Sequence, residues 1–311
     1  MTRFALRMLG ATWLLLSSCG PSAPAAPPPA PAPAPPPETA APPVASSSAP
    51  APEASAAAPL PPIRFEPGKA ADAPSPMPAV AIKTPRPGEL VAADKASDFG
   101  VKLDVKNWDT APGGKHVHLI LDNNPYKPIY DTKAPVRLSE LVQGPIGEGE
   151  HVLVAFPSRS DHESVKPDKG KAPLAIVAFF VGKKGKPTFD PKAPMMIYSR
   201  PKGTYNGPSL TARVLVDFYL HNVKLGQEQT IQLAVSGPGA EALQPLVIKE
   251  WKPYLLENLR NGDYGITMQL LDQQGRPVPG DWNKAHRTIT INRDAPDDPK
   301  AGTAPAAAAH P

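Results

Sequence analysis

From about residue 79 to residue 292, apolar and polar residues alternate in short runs broken by clusters of Gly, Pro, Asn and Asp. A period of two sends successive side chains to opposite faces of a strand, so this stretch predicts an all-β fold of short strands. Val117, Leu119 and Leu121 alternate with their neighbours in this way. So do Tyr264, Ile266, Met268 and Leu270, whose shared parity predicts one inward-facing row. Helical spacing occurs only at Leu138, Leu141 and Val142 and at Leu255, Leu256 and Leu259. Residues 135–142 and 251–259 are therefore each expected to form a turn or two of helix.

The same strand pattern occurs twice. Residues 101–107 align with 216–222, both closing on an Asn (Asn107, Asn222), and 116–122 align with 230–236. Residues 149–156 align with 262–269, both opening on a Gly, and 174–180 align with 287–293. Four strands at nearly constant offset imply two modules of one fold, at 79–188 and 208–294, with a junction at 189–207 whose residues 195–198 have a short strand leading into module 2 as their alternative reading. Strands at this spacing, with a penultimate strand that starts on Gly, resemble immunoglobulin-like or fibronectin-like β-sandwiches. Residues 80–91, an apolar start followed by a turn at Pro87 and Gly88, are similar to the first strand of bacterial surface Ig-like modules.

Composition changes the picture at both ends. The chain has 311 residues, 45 of them Pro and one Cys, with 20% charged and 6% aromatic residues. From residue 21 to residue 62 it is almost all Pro and Ala, too poor in large apolar side chains to form a core. Residues 20–78 are thus expected to be a disordered, extended stalk, reaching about 130 Å at roughly 3.1 Å per residue over the Pro/Ala run. Residues 295–311 read as a disordered tail. Residues 1–19 carry Arg3 and Arg7, then an apolar run from Met8 to Leu16, too short to cross a bilayer, which marks a signal peptide. Its end, Leu16-Ser17-Ser18-Cys19-Gly20, resembles the bacterial lipobox. That resemblance implies a diacylated Cys19 as the mature N-terminus and, with Gly20 in place of the Asp of inner-membrane retention, an outer-membrane address. The alternative is an ordinary secretory signal with a chance Cys near its end. With its only thiol lipidated, the mature protein holds its fold by an apolar core alone.

Comparing the two repeats separates residues the fold needs from residues only one copy has. Module 1 carries His116, His118, His151 and His162, where module 2 has Thr230, Gln232 and Tyr264 at the first three matching places. His116 and His118, two apart on a strand, point to one face with their rings about 6.5 to 7 Å apart, a spacing that suits a shared Cu or Zn ion. The parity of the matching strand turns His151 inward, away from that pair, and the loop that holds His162 cannot be placed. The other reading has histidines hydrogen-bonded to Asp122 or Glu163 at a strand edge. Residues 97–181 also resemble a small uncharacterised periplasmic domain family with a His-rich strand ending in an apolar-Asp pair, a later Gly-x-His strand and a further His. Here these are His116 to Asp122, Gly149 to His151, and His162. That family has an additional His where this chain has Val117, and the resemblance implies a fold more firmly than a chemistry.

A second candidate is the strip with Asn123, Asn124, Tyr126 and Tyr130, whose amides and aromatic faces suit carbohydrate or peptide at the end of a sandwich. Its competing reading is a Pro-stiffened crossover with tyrosines packed on the sheet. Lysines 166, 169, 171, 183, 184, 186 and 192 make one region locally basic, a surface for lipopolysaccharide or cell-wall polymer or simply a solvated one. The net charge is +4, falling to about +2 without the signal peptide, which with the expected compartment argues against nucleic acid. No nucleophile elbow, zincin helix or phosphate loop occurs, and Ser158 to His162 are too close along one loop to form a triad. The sequence thus predicts a lipid-anchored, non-catalytic binding or structural protein, with an envelope protein or cell-wall polymer as partner. Periplasmic Cu or Zn binding is the alternative, and an enzyme of unrecognised type the last.

Overall fold

A computed structural model describes residues 61–297 apart from 168, 169 and 171. The signal peptide, Cys19, the stalk through residue 60, Lys169, Lys171 and the tail from residue 298 lie outside the described residues. The fold is all-β, two immunoglobulin/fibronectin-like sandwiches in tandem. A first strand, β1 (Arg64–Pro67), precedes module 1. Module 1 contains β2 (Ala79–Thr84), β3 (Leu90–Val91), β4 (Gly100–Lys106), β5 (His116–Leu121), β6 (Lys127–Ile129), β7 (Val136–Arg137), β8 (Gly149–Ser158) and β9 (Ala175–Val181). Module 2 contains β10 (Met195–Arg200), β11 (Gly203–Asn206), a short helix α1 (Gly207–Thr211), β12 (Arg213–His221), β13 (Gln229–Ser236), β14 (Leu246–Ile248), β15 (Tyr254–Glu257), β16 (Gly262–Asp272) and β17 (Lys284–Asn292).

The sheets match strand for strand. Module 1 packs β2-β4-β7 on β3-β9-β8-β5-β6, and module 2 packs β10-β12-β15 on β11-β17-β16-β13-β14. In each, a short early strand joins the last strand in parallel, β3 with β9 and β11 with β17. The aligned Asn107 and Asn222 both adopt left-handed backbone (φ 56° and 52°), a conformation Asn tolerates. Gly149 and Gly262 share φ of 126° and 129°, open to glycine alone, which is why both copies begin this strand with Gly. Val117, Leu119, Leu121 and Leu153 fill the first core, and Tyr264, Ile266, Met268 and Leu270 fill the second, as their parity requires.

Three expectations are corrected. Residues 251–259 hold strand β15 instead of a helix. Leu256 faces the module 2 core while Leu255 is buried on the opposite face, so both faces are apolar and the alternation that marks a strand is lost. Residues 135–142, by contrast, do form the expected turn, a 3-10 turn at Leu138–Glu140, after strand β7. The junction at 189–207 supplies β10 and β11, both integral to module 2, and the stalk does not extend to residue 78. Its residues 64–67 form β1, which pairs antiparallel with β15 (Arg64 opposite Glu257), and Ile63 just before it is buried in the module 2 core.

The modules share a third apolar cluster. Ile120, Val152, Val154 and Phe156 of module 1 meet Met195, Ile197, Tyr219 and Trp282 of module 2, and Phe156 stacks on Tyr219 with ring centroids 4.6 Å apart. This explains why every residue of β5 is buried, since one face fills the sandwich and the other fills the seam. A loop of module 1, residues 159–166, is fastened to module 2. Asp217 accepts hydrogen bonds from Lys166 Nζ (2.6 Å) and from the Ser164 amide (3.2 Å), and the Tyr219 hydroxyl donates to the Val165 carbonyl. Lys166 is therefore a buried structural cation and no part of a basic surface.

Candidate metal centre

His116 and His118 point from β5 into the seam, and both are fully buried. The fastened loop brings His162 to them. Its backbone is left-handed at φ 69°, a conformation uncommon for a non-glycine residue and costly unless the surroundings enforce it. His116 Nε2 lies 3.0 Å from His118 Nε2 and 3.0 Å from His162 Nδ1. One nitrogen from each of the three rings falls within 4.8 Å of the others.

The other nitrogens of the two strand histidines are already engaged. His116 Nδ1 donates to the Gly114 carbonyl at 2.9 Å, and His118 Nδ1 is 3.1 Å from Ser199 Oγ. The first bond assigns the tautomer, leaving a lone pair on His116 Nε2. That one lone pair faces the His118 and His162 nitrogens at once, each 3.0 Å away. A metal ion that takes one lone pair from each ring satisfies all three. Bonds of about 2.0–2.1 Å to tetrahedral zinc set neighbouring nitrogens about 3.3 Å apart, close to the 3.0 Å from His116 Nε2 to each of the other two. Outer hydrogen bonds to a carbonyl and a hydroxyl are what fix ligand rings in metal sites.

Burial also holds the rings in the neutral form that ligation requires. It pushes His116 down to about 4 and His162 down to about 2, and His118 well below the usual imidazole range. Arg200 and Lys202, both cationic, push the same way. Tyr126 stacks on His118, with centroids 3.5 Å apart and planes 13° from parallel, and its hydroxyl lies 3.3 Å from His162 Nδ1. Tyr130 lies against His116, with centroids 5.0 Å apart.

His151 does not join the cluster. It sits on the module 1 core face of β8, as its parity predicts, with Nδ1 2.5 Å from Asp122 Oδ2 and Nε2 2.9 Å from the Gly147 carbonyl oxygen. Its proton affinity is raised chiefly by the hydrogen bond to Asp122. Three of the four expected histidines thus converge. The polar strip divides as well. Tyr126 and Tyr130 border the histidines, whereas Asn123 donates across the seam to the Asp281 and Lys284 carbonyls and Asn124 closes its own turn onto the Leu121 carbonyl. Those four residues form no common ligand surface. Ser199, Arg200 and Lys202 are additions that no sequence pattern marks, since they reach the site only because β10 lies across the seam.

No family model matches the chain, and no curated protein matches it. Among solved structures, the chain is similar to fibronectin(III)-like modules of CbhA from Clostridium thermocellum, at 14% identity and a TM-score of 0.24 over 69% of this chain and 94% of that one. It is also similar to the EC1-3 region of Drosophila N-cadherin, at 12% identity and a TM-score of 0.25 over 69% and 68%. The sandwich assignment rests on the sheet order described above.

Proposed function

We propose that the protein is a bacterial envelope lipoprotein, anchored at the outer membrane through a lipid on Cys19, that binds copper or zinc in the seam between its two sandwiches. The observation that carries the reading is the convergence of His116 Nε2, His118 Nε2 and His162 Nδ1 in a buried site, with Gly114 and Ser199 orienting two of the rings. Imidazole donors without a thiol suit Zn and Cu. The lipobox resemblance at residues 16–19 supports the address, and the resemblance of module 1 to a His-containing periplasmic family supports the compartment. The Pro/Ala run offers reach from the membrane. The protein acts by holding its metal and not by turnover.

The test is a calorimetric titration of the full chain in detergent with Zn(II) and Cu(II). The expected result is binding at micromolar strength or tighter that is lost in His116→Ala/His118→Ala. Absence of binding, or binding indifferent to those histidines, removes the metal reading and leaves a tethered binding module for an envelope protein or cell-wall polymer.

A further inference from the structure

Three histidines leave a tetrahedral metal one ligand short. Tyr126 brings a hydroxyl oxygen to 3.3 Å from His162 Nδ1, yet its stacking geometry keeps it from filling the place. The Tyr126 ring lies nearly parallel to His118 with centroids 3.5 Å apart. A metal held through His118 Nε2 would lie in the plane of that ring, and so would stand about one ring separation above the plane that holds the phenol oxygen. That gap exceeds a bond of about 2.0–2.2 Å to oxygen. The hydroxyl is placed instead to hydrogen-bond to whatever occupies the fourth position.

The charges nearby say what that occupant is. Among the described residues, the charged side chains that act on the three rings are Arg200 and Lys202, both positive. The Arg200 guanidinium lies 5.6 Å from the Tyr126 ring centroid and Lys202 Nζ 4.3 Å. A register shift between Tyr198 and Arg200 interrupts the alternation of β10, which lets Arg200 reach the site beside Ser199. Arg200 donates to the Tyr205 hydroxyl at 3.1 Å, but its Nε has no hydrogen-bond partner among the described residues. A divalent ion on three neutral rings beside two cations concentrates positive charge in a largely buried seam, and such charge needs a counter-anion.

We propose that the site takes its metal together with a small inorganic anion as fourth ligand, clasped by the Tyr126 hydroxyl and Arg200, with Lys202 adding field. The inference rests on the metal reading above and deepens it. A small anion held there by hydrogen bonds would exchange with others of its kind, which opens the fourth position to a probe. A cavity of about 590 Å³ lined by Tyr126, Lys127, Glu140 and Lys202 adjoins the clasp on its outer side.

The experiment uses the full chain loaded with Cu(II), with copper content measured before azide is added. The expected result is a saturable azide-to-copper charge-transfer band. Its apparent azide affinity should fall at least about tenfold in Tyr126→Phe, which keeps the stack, and in Arg200→Met, with partial return in Arg200→Lys. Copper-loaded protein that shows no azide band, or a band indifferent to both residues, overturns the anion position while leaving the metal reading intact. A phenolate-to-copper band abolished by Tyr126→Phe also overturns it, because Tyr126 would then be the fourth ligand. Failure to load copper at all removes the metal reading itself.

Discussion

Lys166 of module 1 and Asp217 of module 2 form an ion pair of 2.6 Å that is buried on both sides, with side chains 7% and 0% exposed. Burying two charges is costly, and the pair is tolerated because Ser164 adds its amide to Asp217 and its hydroxyl to Lys166. Asp217→Ala would strand an ammonium in the seam and should destabilise the protein by about 3–5 kcal/mol in denaturant unfolding. Replacing both partners, as in Lys166→Met with Asp217→Leu, should cost far less. A single variant no less stable than the double would contradict this account. Asp217→Ala should also weaken metal binding without touching the metal, because the same loop carries His162.

Ser199 offers a finer test of the site. It lies on module 2 and touches the metal set only through His118 Nδ1. Ser199→Ala should lower metal affinity by about 10–100-fold, the usual effect of losing an orienting hydrogen bond, with little change in melting temperature. His151→Ala should leave the affinity unchanged, since its ring faces Asp122 on the other side of the sheet. Equal losses in the two variants, read by calorimetric titration, would contradict this assignment of faces.

These cases show how far sequence reading reaches. The paired signals at Asn107 and Asn222 and at Gly149 and Gly262 are local, set by backbone angles each module needs, and they were readable without coordinates. The facing of His116, His118 and His151 followed from strand parity. The position of His162 did not, because it depends on Asp217 and Tyr219 fastening its loop from 50 or so residues away. Ser199 and Arg200 reach the site through the packing of one sandwich on another, which leaves no periodicity in either strand. At Leu255 and Leu256, burial on both faces produced a run that reads as helix.

With metal removed by chelation, stability should depend on acid in a defined direction. His116, held down to about 4 when folded, and His162, held down to about 2, both return toward the ordinary imidazole value of about 6.5 on unfolding. Below about pH 6.5 the unfolded chain therefore binds protons that the folded chain refuses, and stability falls as pH is lowered. For His116 the loss runs from about pH 6.5 to about 4 and amounts to as much as about 3 kcal/mol. His118 acts in the same sense. His151, raised by Asp122, acts in the opposite one, adding stability below its folded value that is lost as pH rises through it. With three rings against one, the melting temperature should drop between pH 7 and pH 4.5. A flat or rising profile would contradict the burial of the three rings.

The docking of β1 is testable at one side chain. Ile63, just before the strand, is 6% exposed and packs in the module 2 core. Ile63→Ala should cost about 2–4 kcal/mol, as for a buried aliphatic truncation, although the residue stands before module 1 in the chain. An unchanged melting temperature would mean that the strand is not part of the module 2 sheet.

That strand also sets an order of assembly. Module 2's outer sheet runs β1-β15-β12-β10, so all of module 1 is threaded between its first strand and the rest. However the chain is delivered, Arg64 can pair only once Glu257, the residue opposite it, is in place. Contacts of such long sequence separation form slowly and close late. Module 1 can complete its sandwich first, whereas module 2 is finished only when β1, which precedes all of module 1 in the chain, returns to its edge. The outer hydrogen-bonding groups of β15 stay unpaired until then, and the return of β1 covers them, leaving a strand of only four residues at that edge.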